Sequence, residues 1–375
     1  MRIDDFSSID QIGPDQISRL EGSKLDFSYG LLRAIERSLW GGLTVRYVCV
    51  TDGNDIIAFT PVYIGTNLNF NALMPGFIQR SYTAMVDNLG LGAAYSVAVV
   101  GCLISDRGWI PARPGSDMQA VLNLMLPKID SVAREHGAKF ILVKDIHHEF
   151  QHSHKFVESG YVQVFSLPTI QVATAFKSFD GYLASLTKNG RKHARKTYRK
   201  AEGVLALQQV TDFAEWIPSV YPLFRNTFLK AKYQFEELSP RFFEECANST
   251  TPKTKMILCL KGSQIVGALL MFYDSREQLS KRIGIDYRQE DTPLIYNLLM
   301  YEGLRHAVEC GIEKVHLGQS TYVPKTRMGG QLDDQYLFLK AFSTDLRISM
   351  PLQRAWLNRY RSDRVLKNLQ EESIQ

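Results

Sequence analysis

Cysteine is scarce and scattered. Cys49, Cys102, Cys246, Cys259 and Cys310 are odd in number and form no CxxC pair, so neither a disulfide framework nor a thiolate zinc site is expected, and reduced thiols are. No apolar run approaches the roughly eighteen residues of a membrane span. The opening stretch MRIDDFSSIDQIG is polar and acidic, which predicts no secretory signal and a cytoplasmic location. GxSxG, Walker A and GxGxxG patterns are missing, Gly329-Gly330 is too short for a nucleotide loop, and no low-complexity tract appears. Nor is there a large charge excess: +5 over 375 residues is too weak by itself to mark a nucleic-acid protein. What remains is 45% hydrophobic and 22% charged, enough for two ordinary cores.

Two halves share a plan. VRYVCVTDGNDIIAFTPVYIG (Val45 to Gly65) reads as strand, turn, strand, with its turn at Asp52-Gly53-Asn54, and KMILCLKGSQIVGALLMFYDS (Lys255 to Ser275) repeats it around Lys261-Gly262-Ser263. Each is followed by a helix, a glycine and a short apolar strand, in LPKIDSVAREHGAKFILVKDI and YEGLRHAVECGIEKVHLGQS, with Gly137 and Gly311 placed as helix C-caps. The repeat predicts a structural duplication. The first half carries a longer insert, from Asn71 to Ser116, with a buried strand in VVGCLISD. The halves meet between two strands near Pro168, and Pro218 and Pro222 are expected to interrupt a helix in DFAEWIPSVYPLFRNTFLKAKYQ. Leu352, Trp356 and Tyr360 fall on one face of a C-terminal helix over 346–375.

The charge that exists is concentrated. SLTKNGRKHARKTYRKAEG places Lys188, Arg191, Lys192, Arg195, Lys196, Arg199 and Lys200 within thirteen residues, with no acid before Glu202. On a helix Lys188, Arg191, Arg195 and Arg199 form one stripe, Lys192, Lys196 and Lys200 a second, and Ala194, Tyr198 and Ala201 are left for the core. Such a face is a solvated surface, a phosphate clamp for a CoA-, carrier- or nucleotide-linked ligand, or a tRNA backbone contact.

Three stretches resemble the GNAT-like acyltransferases of the FemAB-like group, which includes the BioF2-like acetyltransferase domains: FDGYLASLTKNGRKHARKTYRKAEG, LIYNLLMYEGLRHAVECGIEKVHLGQS and YVPKTRMGG. The resemblance runs from about residue 25 to 345 and rests on residue classes rather than invariant signatures. It implies an α/β (strictly α+β) chain of tandem GNAT-like domains. A degenerate N-terminal domain would occupy 1–168, a catalytic domain 169–345, and the C-terminal helix would follow. It implies N-acyl transfer from an acyl thioester, acyl-CoA or acyl-carrier protein, to an amine, with no bound cofactor and no metal. The alternatives are a Fem-type aminoacyltransferase that uses charged tRNA and a non-catalytic binding protein. One departure stands out. Where GNAT enzymes cradle pyrophosphate on a glycine-rich loop, the second half has RQEDTPLI, with Glu290 and Asp291 and no glycine; ARPGSD of the first half, with Arg113, Gly115 and Ser116, suits phosphate better.

The GNAT plan puts the donor between splayed central strands, here LSKRIGIDY and KVHLGQS. His316 on the second is a candidate general base or a half-buried histidine satisfied by a neighbour. Asp286 ends the other strand as a carboxylate that positions the amine or takes its proton, or as a plain turn residue, and Arg282 is an acceptor-binding or a solvated cation. Lys325 matches the family's lysine, which implies a catalytic role, and Arg327 lies in the same loop. Tyr296 and Tyr322 are candidate oxyanion donors. In HHEFQHSH, His148 and His152 at i, i+4 would share a metal if helical; with His147 and His154 they otherwise form a polar loop.

Overall fold

The computed structural model describes residues 1–21, 25–39, 42–65, 96–231 and 237–342. The expected C-terminal helix, with Leu352, Trp356 and Tyr360, and most of the long insert lie outside them. The chain forms two compact units, the first holding 1–166, 231, 237–239 and 335–342 of the described residues, the second 167–230 and 240–334.

Unit 1 begins with β1 (Arg2–Phe6), α1 (Pro14–Ser18), α2 (Tyr29–Arg37), β2 (Thr44–Asp52), β3 (Asp55–Gly65) and β4 (Val97–Val100). It continues through α3 (Met118–Glu135), β5 (Phe140–His147), α4 (His154–Glu158) and β6 (Val162–Phe165). Unit 2 runs β7 (Thr169–Ala173), α5 (Phe179–Ser185), α6 (Lys188–Ala201), β8 (Ala206–Val210), α7 (Ile217–Lys230), α8 (Pro240–Ala247) and β9 (Lys253–Lys261). Then come β10 (Gln264–Tyr273), β11 (Glu277–Ile285), α9 (Thr292–Glu309), β12 (Lys314–His316), α10 (Tyr322–Arg327) and β13 (Gln331–Asp333). Last is β14 (Gln335–Ala341), which leaves the second half and inserts between β5 and β6 of the first sheet. Residues 335–341, assigned to the second domain from sequence, therefore belong to unit 1, because Gln335 to Ala341 satisfy their backbone groups against His147 to Phe140 on one side and Val162 to Phe165 on the other.

Each unit has a seven-stranded sheet, β1-β2-β3-β4-β5-β14-β6 in the first and β13-β7-β12-β11-β10-β9-β8 in the second. The duplication is plain in the pairing. The β2–β3 hairpin leads antiparallel into β4, then across α3 to β5, parallel to β4; β9–β10 leads antiparallel into β11, then across α9 to β12, parallel to β11. The two hairpin turns are made alike: Gly53 at φ 59° and Gly262 at φ 60° take the left-handed backbone that a two-residue turn needs at its first position. Both crossover helices stop alike, with Ala138 N–H donating to Ala133 O (2.9 Å) and Ile312 N–H to Ala307 O (2.8 Å) around left-handed Gly137 and Gly311.

Helix α3 buries Val121, Leu122, Met125, Leu126, Ile129 and Val132 at three- and four-residue spacing against the first sheet. Helix α9 is buried almost all round, between the second sheet and α6. It sits close because Gly267 on β10 has no side chain: a Cβ there would lie 2.6 Å from Ile295 Cγ2. Pro218 and Pro222 do not interrupt α7 as expected. The helix starts at Ile217, so Pro218 falls in the first turn, where no intrahelical N–H is required, and the chain stays helical through Pro222 to Lys230.

His306 of α9 is buried, its Nδ1 2.8 Å from Gln278 Oε1. The Gln278 amide donates to Gly303 O (2.8 Å) and Ser280 Oγ (2.6 Å), so its oxygen faces the imidazole and His306 carries its proton on Nδ1. Burial, and after it the Lys255 ammonium, push His306 down to about 4. The unfolded chain, titrating near the ordinary value of about 6.5, binds the proton that the fold refuses, so stability is complete above that value and declines as pH falls towards 4, by on the order of 2 kcal/mol. Urea midpoints at pH 7 and pH 4.5 should differ accordingly, and His306→Gln should remove this share of the difference.

Candidate active site

The two units treat the gap after their parallel strand pair differently. In unit 1, β4 pairs with β5 from Val97↔Phe140 to Val100↔Val143 and then ends. The following chain turns back into the opening: Gly108 N–H donates to Asp145 O (2.6 Å), and His147 N–H to Gly108 O (3.2 Å). Only glycine fits, since a Cβ at Gly108 would lie 2.0 Å from Lys144 O. Arg107 anchors this plug through two bonds to buried Asp26, at 3.0 and 2.6 Å, and Ser105 Oγ donates to the other Asp26 oxygen at 2.6 Å. Unit 1 fills its gap with its own backbone.

In unit 2, β11 and β12 pair at Glu277↔Lys314, Gln278↔Val315 and Leu279↔His316. Strand β12 then stops, while β11 runs on to Ile285 with β10 on its other edge. An extra residue enters β11 between Leu279 and Arg282, opposite Phe272 and Leu270, a bulge at the place where β12 departs. The edge of Ser280–Ile285 facing away from β10 is thus without a strand partner among the described residues.

His316 is the last paired residue of β12, buried, with Nε2 3.6 Å from Glu277 Oε1. Asp286 lies seven residues beyond the partner of His316, about 20 Å along the strand, so the two do not meet at one reacting atom. Its buried carboxylate accepts from Arg288 Nε (2.8 Å), Gln289 Nε2 (3.2 Å) and Gln264 Nε2 (3.3 Å). The Arg288 guanidinium is the main reason its carboxyl is held at about 2, far too low to draw a proton from an ammonium near neutral pH. Arg282 is half-buried on β11, close enough to Cys246 of α8 to act on its thiol.

The loop after β12 is built around Lys325. This lysine is buried, and Nζ donates to the carbonyls of Gly318 (3.2 Å), Gln319 (3.0 Å) and Ser320 (2.8 Å). The clasp holds Ser320 at φ 62° and Thr321 at φ 52°, left-handed conformations that a β-branched residue resists. Tyr322 OH donates to Pro168 O (2.9 Å) and Gln319 Nε2 to Leu167 O (2.8 Å), tying the loop to the start of unit 2. Tyr296 is half-buried on α9, and burial raises its phenol.

Helix α6 buries Gly190, Ala194, Thr197 and Ala201 and exposes Lys188, Lys192, Arg195, Lys196, Arg199 and Lys200. None of these six has an ion-pair partner among the described residues. Arg191 is different: it donates to the carbonyls of Ala184 and Leu186 and so closes the C-terminal end of α5. Gly190 allows α6 to meet α10, since a Cβ there would lie 2.5 Å from Arg327 O. Exposed Arg327 joins the basic face of α6. Burial chiefly, then the charges of Arg327 and Lys196, lower His193, whose Nδ1 lies 3.1 Å from Tyr301 OH. His148 and His152 are not on a helix: both lie in turns between β5 and α4, so no helical face aligns them for a metal. Sequence reasoning missed Glu277 beside His316 and the filled gap of unit 1, both of which depend on strand register. No helix among the described residues is long and apolar enough to cross a membrane.

Comparison with known proteins agrees with this fold. A protein of Mycobacterium tuberculosis carrying the name 8-amino-7-oxononanoate synthase 2 is 21% identical over 273 residues, 69% of this chain and 35% of that protein, so the chain matches about a third of its relative's length. The crystal structure of FemX superposes with a TM-score of 0.61 at 9% identity, covering 92% of this chain and 98% of the other. A tandem GNAT protein from the clavulanic acid biosynthesis pathway gives 0.52 at 9% identity, covering 91% and 98%. The family described as FemAB-like, peptidoglycan biosynthesis/recognition, matches residues 107–324, and with more than half of its length inside that match this tandem GNAT-fold chain belongs to the FemAB-like family.

Proposed function

We propose that the protein transfers an acyl group from an activated donor to an amine, in the slot between β11 and β12 of unit 2. The observation that carries this reading is the contrast between the slots: β12 stops after three paired residues and leaves β11 open, whereas Gly108 and the Arg107–Asp26 pair close the counterpart in unit 1. An open strand edge offers backbone N–H groups, fixed before the reaction, to a carbonyl oxygen that gains charge. His316 takes the proton from the amine and Glu277 orients its imidazole. Lys325 and Tyr322 shape the loop at the end of β12. Asp286 pins the end of β11.

The donor is held by charge elsewhere than at the N-terminus of α9, where exposed Glu290 and Asp291 repel phosphate and Arg288 is engaged by Asp286. The exposed face of α6 with Arg327 supplies that charge. From Lys188 to Lys200 it runs about 18 Å, longer than one pyrophosphate needs, which favours an acylated carrier protein or charged tRNA over free acyl-CoA. Cytoplasmic location follows from the same choice of donors. The test is to incubate the full chain separately with an acyl-CoA panel, acylated carrier protein and charged tRNA, each with an amine mixture, and to search for acylated amine by mass. Product with at least one donor is expected; no product with any donor contradicts the reading.

A further inference from the structure

Unit 1 has a cleft of about 360 Å³ lined by residues of the segment 109–118, the turn 149–152 and Glu21. It lies where a phosphate loop was expected from ARPGSD, ahead of α3. Its chemistry is the opposite. The Arg113 guanidinium is taken up within the fold: Nε donates to Ile56 O (2.9 Å), and the two terminal nitrogens reach Asp55 (3.0 and 2.8 Å) and Gln16 Oε1 (3.2 Å). The first N–H groups of α3 are taken too, because the Asp117 carboxylate accepts from Gln119 N (3.0 Å) and Ala120 N (3.1 Å) and puts its own negative charge there. Glu21 and Glu149 line the cleft without a lysine or arginine partner among the described residues; beside Glu149 stands the His147 imidazole, its Nδ1 3.8 Å from Glu149 Oε2. The apolar wall is Trp109 packed edge-on to buried Phe150, ring centres 5.3 Å apart, with Met118. His152, also lining, has a buried Nδ1 with no hydrogen-bond partner among the described residues.

An anion gains nothing there. A cation with an apolar body gains from the carboxylates, the aromatic faces and the unmatched imidazole nitrogen together. We propose that this cleft of unit 1 is a binding site for an organic ammonium ion, its charged head held by Glu21 and Glu149 and its apolar body laid on Trp109 and Phe150. The site stands on unit 1 alone and does not depend on acyl transfer in unit 2.

The test is calorimetric titration of the full chain with four probes: phenethylammonium, 2-phenylethanol, phenylacetate and ADP. The expected result is that phenethylammonium binds at least tenfold tighter than the other three, and that the exposed-surface double variant Glu21→Gln/Glu149→Gln, with unchanged melting temperature, weakens it at least tenfold. Binding of phenylacetate or ADP as tight as that of the amine overturns the proposal. So does no binding of any probe, and so does amine binding that the double variant weakens less than tenfold.

Discussion

Lys325→Met is expected to lower both the melting temperature and the turnover of the protein. In the native fold the ammonium satisfies three carbonyls at once, those of Gly318, Gln319 and Ser320. A methionine fills much of the space and offers no donor. Acceptors left buried and unmet cost about 1–3 kcal/mol each, offset in part by no longer burying a charge, so a net loss of about 3 kcal/mol is expected, roughly 10 °C in a domain of this size. The left-handed backbone of Ser320 and Thr321 would relax once the clasp is gone, since each such residue stores about 1–2 kcal/mol of strain. The loop at the end of β12 would then lose its shape, and kcat/KM should fall at least tenfold. The two readouts separate two roles. A lysine that touches substrate directly would lose turnover with the melting temperature unchanged; a lysine that holds the loop loses both.

Reversing the exposed charge of α6 is expected to act on donor binding and leave the fold alone. Lys192, Arg195 and Arg199 project to solvent without ion-pair partners among the described residues. Converting all three to glutamate should raise the donor KM at least thirtyfold, change kcat less than threefold, and flatten the dependence of KM on salt. Melting temperature should hold or rise slightly, because like charges three and four residues apart disfavour the native helix by about 0.2–0.5 kcal/mol per pair. Arg191→Glu, one turn away, is expected to do the reverse. It removes the donor to Ala184 and Leu186 at the end of α5 and should reduce stability more than donor affinity. An unchanged donor KM in the triple variant would make the basic face a solvated surface only.

Local signals made much of the fold legible. Gly53 and Gly262 mark hairpin turns because so few residues tolerate that backbone, and Gly137 and Gly311 mark helix ends for the same reason. Ala194 and Ala201 show which side of α6 packs, since a run of cations leaves so few apolar positions. The site was less legible because its parts are joined by register. Arg107 meets Asp26 across 81 positions, and Gly108 meets Asp145 and His147 in the gap of unit 1, pairings that no local stretch announces. Glu277 meets His316 only because β11 and β12 run parallel with Leu279 opposite His316. Spacing along α6 could not show that Arg191 faces the end of α5 while its neighbours face water. Lys325 reads from the sequence as a catalytic lysine in a loop with two glycines; that it is buried, with three carbonyls meeting its ammonium, depends on how the loop folds back on itself. Strand β14 carries no local mark that sends it back to the first sheet.

The central claim is that chemistry occurs at the open edge of β11 and not at its filled counterpart. Hydrogen–deuterium exchange with and without saturating donor, using the donor that yields product, tests it most directly. Slowed exchange is predicted at residues 280–285 and 317–321 of unit 2, with no change at 101–108 of unit 1. Protection confined to unit 1, or absent from both stretches of unit 2, would contradict the account.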